Sequence, residues 1–251
     1  SARSAMVFAA LALPANPLAP VQYHVLDAGM AEPLRRMQAA TASVDWRLDQ
    51  RVLFVQRSGS AYTVASAAGA VTVDHIVFAA SGEPTRALLA GLPGTEARRA
   101  ALDQIPFYDA RLLLHADPAY APADPALRSF LNARVEGGFC EASMDLSGVL
   151  PTGPGGPRPA LWKSWVSHRG ALPGQVLHEE NFRHVLPSPG AIQAQQALLA
   201  PQGQDGLWIV GGYTKPYDAQ ETALLSAMEA VAALAPASAR RRQLLAARAA
   251  P

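Results

Sequence analysis

Cysteine, lysine and long apolar runs are all scarce in this chain of 251 residues. The one cysteine, Cys140, excludes an intramolecular disulfide and a multi-cysteine metal site, so we expect a reducing compartment, the cytoplasm. No apolar run reaches the about 18 residues that a membrane-spanning helix needs, so we expect no stable membrane insertion. Charged residues make up only 16% and the formal net charge is +1, which argues against a nucleic-acid partner. A small molecule is the expected partner.

Hydrophobic residues make up 50% of the chain, enough for one large core or two small ones. Three short runs rich in β-forming residues follow one another, with glycine-containing turns between them. The runs are Val52–Val55, Tyr62–Val64 and Val71–Val73. This pattern predicts a three-stranded meander.

A continuous apolar run, His75–Ala80, ends in Ser81-Gly82 and precedes a helical segment at Arg86–Leu92. Such a run is typical of a buried parallel strand that leads into a helix, so it should lie in a different sheet from the meander. Arg111–His115 reads as a further strand.

Two segments have helical periodicity. Gly29–Ala40 places Met30, Leu34 and Met37 at helical spacing, which predicts an amphipathic helix. The second segment runs from about Asp218 to Leu234, and Asp218 with Glu221 three positions later predicts a capping box at its start. Its expected apolar face is Ala223, Leu224, Ala227, Met228, Val231 and Leu234.

The second of these helices follows a buried strand, Gly206–Val210, and the glycine pair Gly211-Gly212. Backbone N–H groups at a helix start have no partner within the helix, and the helix dipole adds partial positive charge there. A phosphate or the carbonyl edge of a flavin can dock on such a turn. An ordinary strand-to-helix turn without a ligand is the commoner explanation of this local pattern.

Three segments in order resemble the FAD-dependent amine-oxidase-type oxidoreductases, the family that includes protoporphyrinogen oxidases and carotenoid desaturases. They are Arg51–Val55 with the meander and the closing strand to Ser81, then His115–Pro118 with Trp162–Trp165, then Gly206–Ala223. The middle segment is similar to substrate-domain strands of a bacterial branch. The resemblance implies an α/β fold, in which part of an FAD-binding sheet joins a substrate domain with a mixed sheet and helices.

The resemblance also implies which residues contact FAD. The proposed cofactor contacts are Val52, Gly211, Gly212, Tyr213, Gln220, Glu221, Thr222 and Ala223. Val52 would contact adenine through its backbone, and the helix start would face the flavin. Lys163 and Tyr213 are the candidate catalytic residues, and Tyr213 would line the flavin. Amine oxidases often use a lysine that holds water near flavin N5, although the strand-like context of Lys163 favours a solvent-facing position. We expect Cys140 to be a small buried side chain and FAD to be held noncovalently.

The sequence departs from the family in two places. Many members carry an acidic residue after the strand-ending glycine, where this chain has Gly212 and Tyr213. It also lacks a Gly-x-Gly-x-x-Gly motif, which holds the pyrophosphate of the dinucleotide. We therefore expect a C-terminal portion of a longer protein, with the missing N-terminal FAD-binding segment as its partner.

The function that follows is two-electron oxidation of a small molecule, with hydride transfer to flavin N5. The expected division is a partial FAD-binding domain at 24–82 and 206–236, a substrate domain at 1–23 and 83–205, and a tail at 237–251. We expect no metal site, because the histidines and glutamates near 178–184 lack clean ligand spacing. The alternative is a noncatalytic binding or partner module that has lost the cofactor site.

Overall fold

The computed structural model describes residue 26, residues 29–150 and residues 160–249. It consists of short helices and of strands that form three separate sheets. The strands are β1 (Val52–Ser58), β2 (Ala61–Ser66), β3 (Gly69–Val73), β4 (Ile76–Phe78), β5 (Phe107–His115), β6 (Leu131–Glu136), β7 (Phe139–Asp145), β8 (Trp162–Trp165), β9 (Val176–Val185) and β10 (Leu207–Ile209). The helices are α1 (Ala31–Ala39), α2 (Gly82–Leu89), α3 (Glu96–Asp103), α4 (Pro189–Leu199), α5 (Gln220–Leu234) and α6 (Ala239–Ala249). Within these described ranges, no helix is long and apolar enough to cross a membrane.

Contacts divide the chain into two units. In the described ranges, the first unit consists of residues 47–107 and 185–249, and the second of residues 26–46 and 108–184. The expected α/β class with two kinds of sheet is confirmed. The expected division into cofactor and substrate domains stays a prediction, and its 1–23 segment lies outside the described residues.

The meander of the first unit is confirmed. β1, β2 and β3 pair in that order, each antiparallel to the next. Val55 and Tyr62 are almost completely buried and anchor the sheet to the core. The two connecting turns use Gly59 and Gly69, whose φ angles of 64° and 130° suit glycine.

The second sheet of this unit is a parallel pair, β4 with β10, as expected for a strand that leads into a helix. The backbone N–H of Val210 donates to Phe78 O at 2.9 Å and extends the pairing beyond the strands. The helix after β4 begins at Gly82, not at Arg86 as predicted. Gly82 lies so close to the Phe107 ring that an added Cβ would be 2.9 Å from it.

The core of the first unit lies between these two sheets and α2, α3 and α4. Leu89, Leu198 and Ile209 have no exposed surface and belong to one cluster. Arg98 is buried beside the cluster, where its guanidinium donates to Pro201 O at 2.5 Å and Gln204 O at 3.2 Å. Burial lowers the pKa of Arg98, and the charge of Asp205 opposes that shift.

The second unit is built on a five-stranded sheet in the order β6-β7-β8-β5-β9. The strand predicted at Arg111–His115 is confirmed and starts earlier, at Phe107. β6, β7, β8 and β5 are successively antiparallel, and β8 is the central strand. On one face the buried side chains of His115, Ser164 and Ser143 form a chain of two hydrogen bonds, each 2.8 Å long. These hydrogen bonds offset part of the cost of burying the three polar side chains.

Two further expectations for the second unit are wrong in part. The helix predicted at Gly29–Ala40 is present as α1, but Met30, Leu34 and Met37 are all about half exposed or more and none of its residues is buried. Cys140 is exposed rather than buried, and it lies next to the turn of the hairpin of β6 and β7.

Helix α4 provides a matched test of the first core. Leu198→Ala should lower the free energy of unfolding by about 2–5 kcal/mol, since it leaves a cavity at a fully buried site. Ile192→Ala removes the same number of carbon atoms from the same helix, but Ile192 is 42% exposed, so the loss should stay below about 1 kcal/mol. Urea unfolding of both variants measures the difference, and equal losses would contradict the assigned core.

Candidate functional site

The turn after β10 depends on one glycine with an unusual backbone conformation. Gly211 has a φ of 137°, a backbone conformation that residues with a Cβ atom rarely adopt. A single turn of 3-10 helix follows at Gly212–Thr214. Thr214 closes this turn, because its backbone N–H and its hydroxyl both donate to Gly211 O, at 3.1 and 2.7 Å.

Side chains from two helices fix the backbone of this turn. From α5, the Ser226 hydroxyl accepts the N–H of Gly211 at 2.8 Å. From α4, the Gln195 amide donates to Tyr213 O at 2.9 Å and to Lys215 O at 2.5 Å. Ser226 and Gln195 are both buried, so these bonds satisfy backbone groups that water does not reach.

Helix α5 starts one residue later than predicted and with a different cap. Ala219 is the N-cap residue, and the Thr222 hydroxyl accepts its backbone N–H at 3.0 Å. The predicted capping pair of Asp218 and Glu221 is therefore wrong. The Asp218 carboxylate instead lies against Gly212, where an added Cβ would overlap it.

The face that α5 turns to the protein is also different from the predicted apolar face. Its buried residues are Thr222, Ser226 and Ala230, whereas Leu224 is 46% exposed. Small side chains at this spacing of four residues let the helix lie close to the strand end. Because the Thr222 and Ser226 hydroxyls bond to backbone at the helix start and the turn, this polar stripe determines where the helix begins.

Tyr213 is buried in the core of the first unit, 5% exposed, with its ring tilted against Phe107 at 6.1 Å between centroids. Burial raises the pKa of Tyr213 to about 12, and the Thr85 hydroxyl in the first turn of α2 offsets part of this shift. No described group makes a well-formed hydrogen bond with the buried phenol oxygen. The phenol therefore stays protonated at neutral pH and is suited to donate a proton in a hydrogen bond rather than to act as a base.

The structure brings one group of predicted site residues together. Gly211, Gly212, Tyr213 and the segment Gln220–Ala223 all lie where β10 ends and α5 begins. The other strand of the parallel pair, β4, ends at the same edge and leads into α2. Two helix N-termini therefore follow the carboxyl ends of two adjacent parallel strands, the edge at which open α/β sheets bind ligands.

Val52 and Lys163 lie elsewhere. Val52 begins β1 in the meander and is 36% exposed. Lys163 is on β8 in the second unit, partly buried rather than solvent-facing, with its ammonium 5.3 Å from the centre of the Trp165 ring. The roles assigned to both residues, and to the residues of the turn, stay predictions.

The start of α5 has a chemistry that favours uncharged polar ligand groups. Gln220 and Glu221 are exposed there, at the positive end of the helix dipole. The side chains of Asp218 and Glu221, also exposed, add negative charge beside it. This combination suits hydroxyl groups and a carbonyl edge better than a phosphate, since phosphate oxygens would be repelled by both carboxylates.

Sequence reasoning missed Gln195 and Ser226 as parts of the site, and it named Thr222 as a cofactor contact but not as the residue that caps α5. The roles of Thr222 and Ser226 can be recognised in the sequence, because small polar residues four positions apart in a helix indicate a face whose hydroxyls hydrogen-bond to neighbouring backbone. The role of Gln195 cannot, since it depends on how α4 packs. Across the described ranges, no three metal-ligating side chains cluster.

The raised pKa of Tyr213 predicts a pH dependence of stability. Between pH 10 and 12 the unfolded state loses the phenol proton while the folded state keeps it, so stability falls as pH rises. Between pH 8 and 11, wild type should lose roughly 1 kcal/mol more than Tyr213→Phe. Urea unfolding at both pH values measures this, with Tyr217→Phe, which removes an exposed phenol, as the matched variant. Equal losses in wild type and Tyr213→Phe would contradict the burial of the phenol.

Comparisons with known proteins bear on the fold. No protein-family model matches the sequence, and no curated protein matches it either. Solved structures do match. Cyclohexylamine oxidase from Brevibacterium oxydans is 17% identical with a TM-score of 0.56, and the match covers 83% of this chain and 52% of that one. A fatty acid isomerase from P. acnes is 10% identical with a TM-score of 0.53, covering 81% of this chain and 51% of that one.

A third match is a protein assigned as a protoporphyrinogen oxidase from an Exiguobacterium species, 13% identical with a TM-score of 0.51. It covers 82% of this chain and 52% of that one, so the chain spans about half the length of all three structures. Likeness at these identities shows the fold. The chain has the fold of the FAD-dependent amine-oxidase-type proteins, the family that its sequence resembles.

Proposed function

We propose that this chain is part of an FAD-dependent oxidoreductase of the amine-oxidase type that oxidises a small molecule by hydride transfer. One observation carries the proposal: in a chain with this fold, β4 and β10 end side by side, and β4 leads into α2 at Gly82 while β10 leads through the Gly211-Gly212 turn to α5. Ligands of open α/β sheets bind at this edge.

The residues of the turn fit a noncovalently held flavin. The first turn of α5, from Gln220 to Ala223, would face the electron-rich edge of the flavin with the positive end of the helix dipole. Asp218 and Glu221 would bond to the ribityl hydroxyls, and Tyr213 would serve as a neutral donor. Val52 would contact adenine through its backbone. The flavin, when bound, supplies the acceptor of the hydride, and the protein supplies orientation and electrostatics.

The pyrophosphate requires groups that this chain does not offer at the turn. The two carboxylates there repel phosphate, and the sequence has no Gly-x-Gly-x-x-Gly motif. We propose that a separate N-terminal FAD-binding segment supplies this site. Two observations support it: the chain spans about half of its matched structures, and Val77 in the short parallel pair is 46% exposed, although parallel strands are normally covered on both faces.

A flavin titration tests the proposal. FAD is added to this chain, and to the same chain extended by its upstream coding sequence, and quenching of flavin fluorescence is followed. Binding by the extended protein, with flavin absorbance in the purified sample, is expected. A folded extended protein that is colourless and takes up no FAD would overturn the proposal and leave the noncatalytic partner module as the explanation.

A charge substitution tests whether the start of α5 faces the flavin. Gln220→Glu adds a negative charge in the first turn, which stabilises the helix itself, so weaker FAD binding cannot be ascribed to unfolding. We expect the dissociation constant to rise about fivefold. Ala233→Glu adds the same charge at an exposed position near the other end of α5 and should leave binding unchanged. Equal affinities of the two variants would place the flavin elsewhere.

A further inference from the structure

One face of the five-stranded sheet in the second unit is apolar and only partly covered. Strand register places Leu131, Met144, Lys163 and Leu114 in a row across β6, β7, β8 and β5, with Trp165 and Leu112 paired beside them. We call these six residues the Lys163 face. None of them is fully buried, whereas Ser143, Ser164 and Leu113 on the opposite face are at most 1% exposed. The sheet thus leaves leucine, methionine and tryptophan side chains accessible while it buries serines.

Lys163 is the one charged residue on this face, and it lies on the central strand. Its cross-strand neighbours, Leu114 and Met144, are apolar. Among the described residues no ion pair joins a carboxylate to its ammonium, which lies 5.3 Å from the centre of the Trp165 ring. The other lysine, Lys215, is paired with Glu229 at 2.5 Å. An ammonium beside apolar side chains and without an anion can pair with an anionic group of a ligand.

We propose that the Lys163 face binds an amphipathic small-molecule carboxylate. The carboxylate pairs with the Lys163 ammonium, and the apolar body of the ligand lies over Leu112, Leu114, Met144 and Trp165. A single ammonium matches the single charge of a carboxylate, and it repels a cationic ligand. A phosphate dianion would call for additional donors that the surrounding apolar side chains do not provide. This site can be tested without flavin, because its residues all belong to the sheet of the second unit.

Decanoate and decanol, both below their aggregation concentrations and without added flavin, separate the charge from the apolar contact. Tryptophan fluorescence follows the titration, since Trp165 lies in the face. Wild type should bind decanoate about tenfold more tightly than decanol. Lys163→Met keeps the length and apolar character of the side chain, and it should lose this preference while decanol binding stays within about twofold. Lys163→Arg should keep the preference.

Lys215→Met is the matched control, since it removes the only other lysine and should keep the wild-type preference. Circular dichroism confirms that each variant is folded. Two results overturn the proposal: folded wild type that binds decanoate no more tightly than decanol, or Lys163→Met that keeps the full preference. Either result leaves the flavin titration unaffected, so the two proposals fail separately.

Discussion

The parallel pairing of β4 with β10 is the constraint on which the candidate site depends. These strands are far apart in the sequence, yet their register brings Phe78 beside Ile209 and lets Val210 continue the hydrogen bonding past the strand ends. Both following helices then begin at one edge. Tyr213 connects the two helix starts. Its backbone belongs to the turn that leads to α5, and its hydroxyl lies near the Thr85 hydroxyl in the first turn of α2. Without that pairing, the glycine turn would be an ordinary connection.

The rigidity of the turn comes from buried polar side chains rather than from apolar packing alone. The Gln195 amide donates to the carbonyl groups of Tyr213 and Lys215, and the Ser226 hydroxyl accepts the N–H of Gly211. Each bond satisfies a backbone group that burial would otherwise penalise by about 1–3 kcal/mol. These bonds fix the backbone that precedes the first turn of α5. A fixed backbone favours a ligand site that is formed before the ligand binds.

Local patterns predicted much of the first unit and little of the second. The meander, β4, β10 and the end of α5 were predictable, because each depends on a short run of residues and on glycine turns. The start of α5 was not, since Asp218 turns toward Gly212 and leaves the cap to Thr222. The glycine turn of the site was found from its local sequence, but Gln195 enters through the packing of α4. The partial burial of Lys163 depends on which strands flank β8, and no local pattern contains that pairing.

The contact between the Asp218 carboxylate and Gly212 couples two positions that are separated by a loop. Gly212 has an ordinary backbone conformation, so its lack of a side chain is required by this neighbour and not by its φ angle. In evolutionary terms the two positions should drift together: alanine or serine at 212 requires the Asp218 carboxylate to turn away or a shorter side chain at 218. At Gly211 no such compensation exists, because the restriction there lies in the backbone itself.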